Sequence, residues 1–269
     1  MNQREYWNGP VAACWAGRQE ARERCFAAVT EAALAFAQLK PGMNVLDVGC
    51  GAGATTRAIA DAVAPGRAVG IDLSATLLTA ARAKQAANAE FVEADAAEHV
   101  FAPQFDLIFS RFGMMFFAEP VAAFAHLRAA LKPGGKLAFV CWAALAEVPF
   151  HNTAFFAARD LLPPQPPPVP HAPGPFALAD CAATQDILEK SGWRDIRIAR
   201  LEVPAMLGRN LDEAVEEAMN LGPLAAASRG LEEPLRRRIR DRIRPVLAGH
   251  ATAAGVLLQA VCWLVGADC

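Results

Sequence analysis

The segment Val45-Leu46-Asp47-Val48-Gly49-Cys50-Gly51-Ala52-Gly53-Ala54-Thr55 constrains this chain more than any other stretch. A short apolar run enters a turn with glycine at alternate positions, and a helical pattern, Thr55 to Val63, leaves it. Glycine tolerates positive φ and puts no Cβ between the backbone and an approaching molecule. Strand, glycine turn and helix in that order open a parallel α/β sheet. The turn then lies at the carboxyl edge of the strand, where such sheets bind ligands.

The residues that follow repeat the alternation. Short apolar strands are expected at Ala68–Ile71, Glu90–Glu93, Phe105–Phe109 and Lys136–Trp142, after the first at Asn44–Val48. Helices are expected at residues 20–38, Ala75–Ala86 with Ser74 as N-cap, and Pro120–Leu131 before Lys132-Pro133-Gly134-Gly135. Further on come a helix at Ala182–Lys190, a strand at Trp193–Leu201, helices at Leu211–Met219 and Glu232–Leu247, and a last strand at Gln259–Val265. The pattern implies a doubly wound α/β sheet. Between Pro163 and Pro175, eight of thirteen residues are proline, which excludes a regular helix and favours a rigid loop rimming the domain.

The ligand of the glycine turn is open on spacing alone. Gly49, Gly51 and Ala54 fit the G-x-G-x-x-A dinucleotide fingerprint, and Asp72, ending the second strand, can accept both hydroxyl hydrogens of an adenosine ribose. Asp47 just before the turn would repel a pyrophosphate and suit an ammonium, or it ties down the turn itself.

The resemblance that these motifs carry is to the class I S-adenosylmethionine-dependent methyltransferases, and within them to the small-molecule branch of ubiquinone and menaquinone biosynthesis. Val45 to Gly53 matches the first family motif, Val69 to Ser74 the second, and Glu93-Ala94-Asp95-Ala96 the third. Phe105 to Ser110 and Leu131 to Gly135 match the motifs around strands four and five. The resemblance implies a Rossmann-like, mostly parallel seven-stranded sheet with the last strand antiparallel. It implies S-adenosyl-L-methionine as cofactor and S-adenosyl-L-homocysteine as product. Gly49, Gly51 and Gly53 would carry the turn beside Asp47, Asp72 with Leu73 the ribose, and Asp95 with Ala96 the adenine. Ser110 would border the site after strand four, and Tyr6 and Trp7, or Trp15, would belong to an N-terminal helical lid.

On this reading residues 1–269 form one methyltransferase domain. Residues 1–40 are N-terminal helices, 41–142 the cofactor core and 143–192 a proline-rich acceptor side. Residues 193–269 supply strands six and seven with a helical insertion before the last strand. On the acceptor side, Arg111 stands among aromatic and methionine residues and could hold an acidic or carbonyl-bearing acceptor, or form a structural ion pair. His151 is the best placed of five histidines for a general base. The apolar surroundings favour an apolar or aromatic acceptor: quinone-like, lipid-like or a secondary metabolite.

Composition closes other routes. A net charge of −2 gives no support to a nucleic-acid partner. Hydrophobic residues make up 54%, yet residues 251–267 are too short and too polar to read as a membrane span, and no signal peptide is apparent at the start. Seven cysteines without a CxxC suggest free thiols in a reducing, cytoplasmic setting and no metal site. The arginines between Arg236 and Arg244 line a helix that is either solvated or in contact with a membrane surface. A non-catalytic cofactor-binding domain and a nicotinamide-dependent oxidoreductase are the competing readings. Oligomeric state, monomer or homodimer, is left open.

Overall fold

Three apolar residues, Val45, Leu46 and Val48, with the buried Asp47 among them, form a strand that is covered on both faces. The computed structural model describes residues 3–84, 86–165, 169 and 172–269. Three helices come first: α1 (Gln3–Asn8), α2 (Pro10–Gly17) and α3 (Gln19–Phe36). The alternating core follows: β1 (Asn44–Val48), α4 (Ala54–Val63), β2 (Arg67–Asp72), α5 (Ala75–Arg82), β3 (Ala89–Glu93), β4 (Phe105–Arg111), α6 (Pro120–Arg128) and β5 (Leu131–Trp142). The rest comprises α7 (Pro149–Ala157), α8 (Cys181–Lys190), β6 (Arg194–Gly208), α9 (Leu211–Ala218), α10 (Gly222–Ala227), α11 (Glu233–Ala248), β7 (Ala251–Thr252) and β8 (Gly255–Asp268).

The strands run in the order β3-β2-β1-β4-β5-β8-β6, with β7 paired to β8. The pairs from β3 to β5 are parallel, and β8 is antiparallel to both β5 and β6. This is the mostly parallel, doubly wound sheet expected, with the two-residue β7 added. The chain leaves β1 in one direction toward β2 and β3 and returns on its other side as β4. The carboxyl ends of β1 and β4 therefore flank the switch point, where a crevice opens.

Local chemistry sets the element ends. The Ser74 hydroxyl accepts from Leu77 N and caps α5, as expected. Asp180 caps α8 by accepting from Ala182 N and Ala183 N, and Asn210 caps α9 through Glu213 N. Helix α5 stops at Arg82, not Ala86, and α6 stops at Arg128, not Leu131. Leu131 is already a strand residue opposite Phe105. The next matched pair is Leu107 with Lys136, so the proline-glycine run bulges out of the ladder instead of separating two elements. Strands β6 and β8 are also longer than their sequence patterns suggest, at 15 and 14 residues. They extend beyond β5 as an antiparallel ribbon. Pro204 is accommodated because β6 is the edge strand, where a missing N–H costs little.

The proline-rich run lies partly outside the described residues, which omit 166–168, 170 and 171. Its end is anchored: Gly174 N donates to Met115 O at 3.0 Å. Between β6 and β8 stand α9, α10 and α11, the expected helical insertion. Ile239, Ile243 and Leu247 of α11 are fully buried. On its outer face Arg240 pairs with Glu216 and Glu233, Arg242 with Asp160 and Arg244 with Asp212. These acids account for much of the basic face. Among the described residues no helix is long and apolar enough to cross a membrane.

Candidate active site

The glycine turn is built by strand pairing below it and backbone contact beside it. Gly49 N and Cys50 N both donate to Ile71 O, so the turn is sewn to the end of β2. Gly49, Gly51 and Gly53 have φ of 70°, 54° and 76°. A Cβ on Gly49 would fall 2.7 Å from Gly113 Cα, so the loops after β1 and β4 touch through bare backbone. A Cβ on Gly51 would find its nearest neighbour at 4.0 Å, which leaves open space above that residue.

That space is part of a cavity of about 1040 Å³ at the carboxyl edge of β1, β2 and β4. The volume reaches the upper end of the range for small-molecule sites, about 300–1,000 Å³. Gly49 and Gly51 line it, as do Asp72, Leu73, Asp95, Ala96, Tyr6, Trp7, Arg111 and His151. Sequence positions separated by more than a hundred residues thus meet in one place. Asp47, Gly53 and Ser110 stand behind the wall instead. Asp47 is fully buried, and its Oδ2 accepts from the hydroxyls of Thr55 and Thr56 at 2.6 and 2.7 Å, while Oδ1 has no partner. Burial pushes its carboxyl up to about 6, against the pull of those two hydroxyls. Ser110 donates to Val48 O and accepts from Gly113 N, which ties β4 to β1. Both residues hold the turn rather than face the cavity.

Asp72 is fixed by its own loop and by the glycine turn. Oδ2 accepts from Gly51 N and Oδ1 from Ser74 N, each at 2.8 Å. Each oxygen keeps a lone pair for a further donor. Burial raises the pKa of this carboxyl, opposed by the backbone N–H groups. Asp95 accepts from Ala97 N through Oδ1.

The N-terminal helices cover the Asp72 end of the cavity. The side chain of Asn8 donates to Leu73 O at 2.9 Å and accepts from Ala75 N at 3.0 Å, latching α1 to the residues beside Asp72. Trp7 meets Tyr6, Trp15 and Phe116 edge-on, with centroids 5.3, 5.9 and 5.1 Å apart.

The other end is aromatic. Phe112 stacks on Trp142 at 4.4 Å with an interplanar angle of 6°, and Phe26 packs edge-on against both rings. Phe112 takes φ of 65°, a left-handed conformation rare for an aromatic residue. His151 lies 4.5 Å from Trp142, buried, with Nε2 unpartnered. Burial pushes its pKa down to about 3, so the ring is neutral around pH 7. Arg111 donates through both terminal nitrogens to Glu23 at 2.9 and 2.8 Å and to Thr30 Oγ1 at 2.7 Å. Its guanidinium therefore braces α3 against β4 at the cavity wall.

The cover over this end was not legible in sequence. Asn220 and Leu221 line the cavity from the loop before α10, Gly222 from the start of that helix, and Arg22 from α3. Pro173 and Pro175 complete the rim, so the proline-rich segment does reach the site.

Residues 45–135 match a family model described as a methyltransferase domain. Over 99 residues the chain is 33% identical to the trans-aconitate 2-methyltransferase of Deinococcus radiodurans, covering 37% of this chain and 38% of that protein. Over 102 residues it is 34% identical to the demethylmenaquinone methyltransferase of Staphylococcus carnosus, covering 36% and 42%. The chain thus spans about two-fifths of the length of the curated relatives it matches. Among solved structures, a putative methyltransferase from Bacillus halodurans superposes with a TM-score of 0.57 at 17% identity, over 90% of this chain and 98% of that one. Phosphoethanolamine N-methyltransferase 2 of Haemonchus contortus, in complex with S-adenosyl-L-methionine, gives a TM-score of 0.59 at 19% identity, over 100% and 60%. At such identities the superpositions show a shared fold.

Proposed function

We infer that this chain, which carries a class I S-adenosylmethionine-dependent methyltransferase domain, transfers a methyl group to a small acceptor with a flat apolar body. One observation carries the reading. The acidic and glycine-lined cofactor end and the Phe26–Phe112–Trp142 aromatic floor are two ends of a single cavity.

The residues present fit the cofactor. Gly51 has space where a Cβ would stand, and the Asp72 carboxylate is held rigid with acceptor capacity to spare. Asp72 would hold the ribose hydroxyls, Asp95 and Ala96 the adenine, and Gly49 with Gly51 the amino-acid portion. When bound, S-adenosylmethionine supplies a methyl group already activated on a sulfonium. The chain's own task is then approach geometry and exclusion of water. The Trp7 cluster shields one end, and the aromatic floor orients a planar acceptor by its face. Arg111 would keep the floor in register through Glu23.

The methyltransferase-domain match favours S-adenosylmethionine over a dinucleotide. One relative is named for trans-aconitate and another for demethylmenaquinone. The two names differ in acceptor, so the acceptor is read here from the aromatic floor, as quinone-like or similarly conjugated.

Calorimetry with S-adenosylhomocysteine tests the reading. Binding in the micromolar range is expected. Asp72→Ala removes the ribose contacts and should weaken binding by about 2–3 kcal/mol, or roughly 30- to 150-fold. Folded protein that bound neither cofactor nor product would end the proposal.

A further inference from the structure

Glu23 and Arg111 reach the glycine turn from different elements. Arg111 is the last residue of β4, which pairs with β1 through Val45 with Leu107 and Asp47 with Phe109. Two residues further along that parallel register, Arg111 is level with Gly49. Glu23 comes from α3. One turn before it, Gln19 Nε2 comes within 3.5 Å of Ala52 O in the glycine turn, and one turn after it Phe26 packs on the aromatic floor. Gln19, Glu23 and Phe26 therefore follow one face of α3, and all three line the cavity together with Arg111. Glu23 stands where the glycine turn gives way to the floor. Its side chain keeps 33% of its surface accessible and that of Arg111 keeps 13%.

The pair has binding capacity left. Glu23 accepts one N–H on each oxygen, from Nη1 at 2.9 Å and Nη2 at 2.8 Å, so each oxygen keeps a lone pair. Arg111 commits two N–H groups to Glu23 and one to Thr30 Oγ1, which leaves part of its fork of donors unspent. The amino-acid end of S-adenosylmethionine carries an ammonium and a carboxylate. Set antiparallel to the Glu23–Arg111 pair, it brings ammonium to carboxylate and carboxylate to guanidinium. The four charges alternate and sum to zero, so no unpaired charge enters a partly buried site. Asp47, which the sequence suggested for an ammonium, is fully buried behind the turn and holds the hydroxyls of Thr55 and Thr56. The accessible carboxylate of Glu23 takes the place that Asp47 leaves open.

Resting on the methyltransferase reading above, we propose that Glu23 and Arg111 clamp the zwitterionic amino-acid end of the cofactor, Glu23 taking the ammonium and Arg111 the carboxylate. Thr30 steadies Arg111 from α3. The clamp adds side-chain contacts to the backbone of Gly49 and Gly51. Because it borders the Phe26–Phe112–Trp142 floor, it also sets how far the cofactor reaches toward the acceptor.

The test is calorimetry on the full-length protein with three ligands: S-adenosylhomocysteine, its desamino analogue, which keeps only the carboxylate, and its decarboxylated analogue, which keeps only the amine. The unmodified protein should bind S-adenosylhomocysteine at least about tenfold more tightly than either analogue. Glu23→Gln should cut the preference over the desamino analogue to about twofold or less, without weakening the desamino analogue itself. A role confined to bracing α3 would weaken all three ligands together and would overturn the clamp. Equal binding of S-adenosylhomocysteine and either analogue by the unmodified protein would overturn it too, and that comparison needs no variant to fold. So would an undiminished preference for the amine in folded Glu23→Gln protein. Failure of S-adenosylhomocysteine itself to bind would instead strike at the methyltransferase reading beneath it.

Discussion

Asp47 shows how much a single buried side chain contributes to a turn without touching what the turn holds. Its folded pKa of about 6 lies above the ordinary carboxylate value near 3.9, so folding favours the protonated acid. The associated stability is full below about pH 4 and is lost as pH rises through 6. Asp47→Asn mimics the neutral acid and should not lose it. The stability of the unmodified protein relative to that variant should fall by about 2 kcal/mol between pH 4 and pH 7, measured by urea unfolding. A difference that stayed constant with pH would refute the assignment. Residue chemistry of this kind was legible early: Ser74 caps its own helix, and the glycines and Asp72 stand at strand ends whose spacing announces them. The partner of Arg111 could not be foreseen. It depends on which distant segment closes over the end of β4.

The α1 helix illustrates the same limit at the scale of an element. Tyr6 and Trp7 in the sequence suggested a lid, and both residues line the cavity, yet the part that fastens it is Asn8. An asparagine near a helix end carries no sequence signal for a partner 65 residues away. Its two exposed hydrogen bonds are together worth about 1 kcal/mol. Asn8→Ala should therefore speed release of S-adenosylhomocysteine about fivefold in stopped-flow fluorescence, with a smaller change in equilibrium affinity. Unchanged release would mean that α1 does not gate the cavity. Strand lengths tell a related story. β6 and β8 continue past their sequence patterns because each supplies the other's hydrogen bonds, a fact of pairing and not of composition.

At the scale of the whole molecule, the N-terminal helices and the late insertion are joined by charge. Glu217 of α9 accepts from Arg18 and Arg22 and is itself fully buried. Removing it strands two arginines, so Glu217→Ala should cost about 3–5 kcal/mol in urea unfolding. A loss below about 1 kcal/mol would show that the cover and the first helices are not held this way. The five parallel strands were legible because they announce themselves by their apolar runs, whereas their order in space comes from pairing. The cover was not, because α7 and α10 are short and their packing partners lie far along the chain. The Asn8 latch has one more consequence, in populations. A contact worth about 1 kcal/mol changes the ratio of shut to open molecules only about fivefold, so the latch by itself cannot seal the cavity, and the Trp7 packing must supply the rest of whatever closure there is.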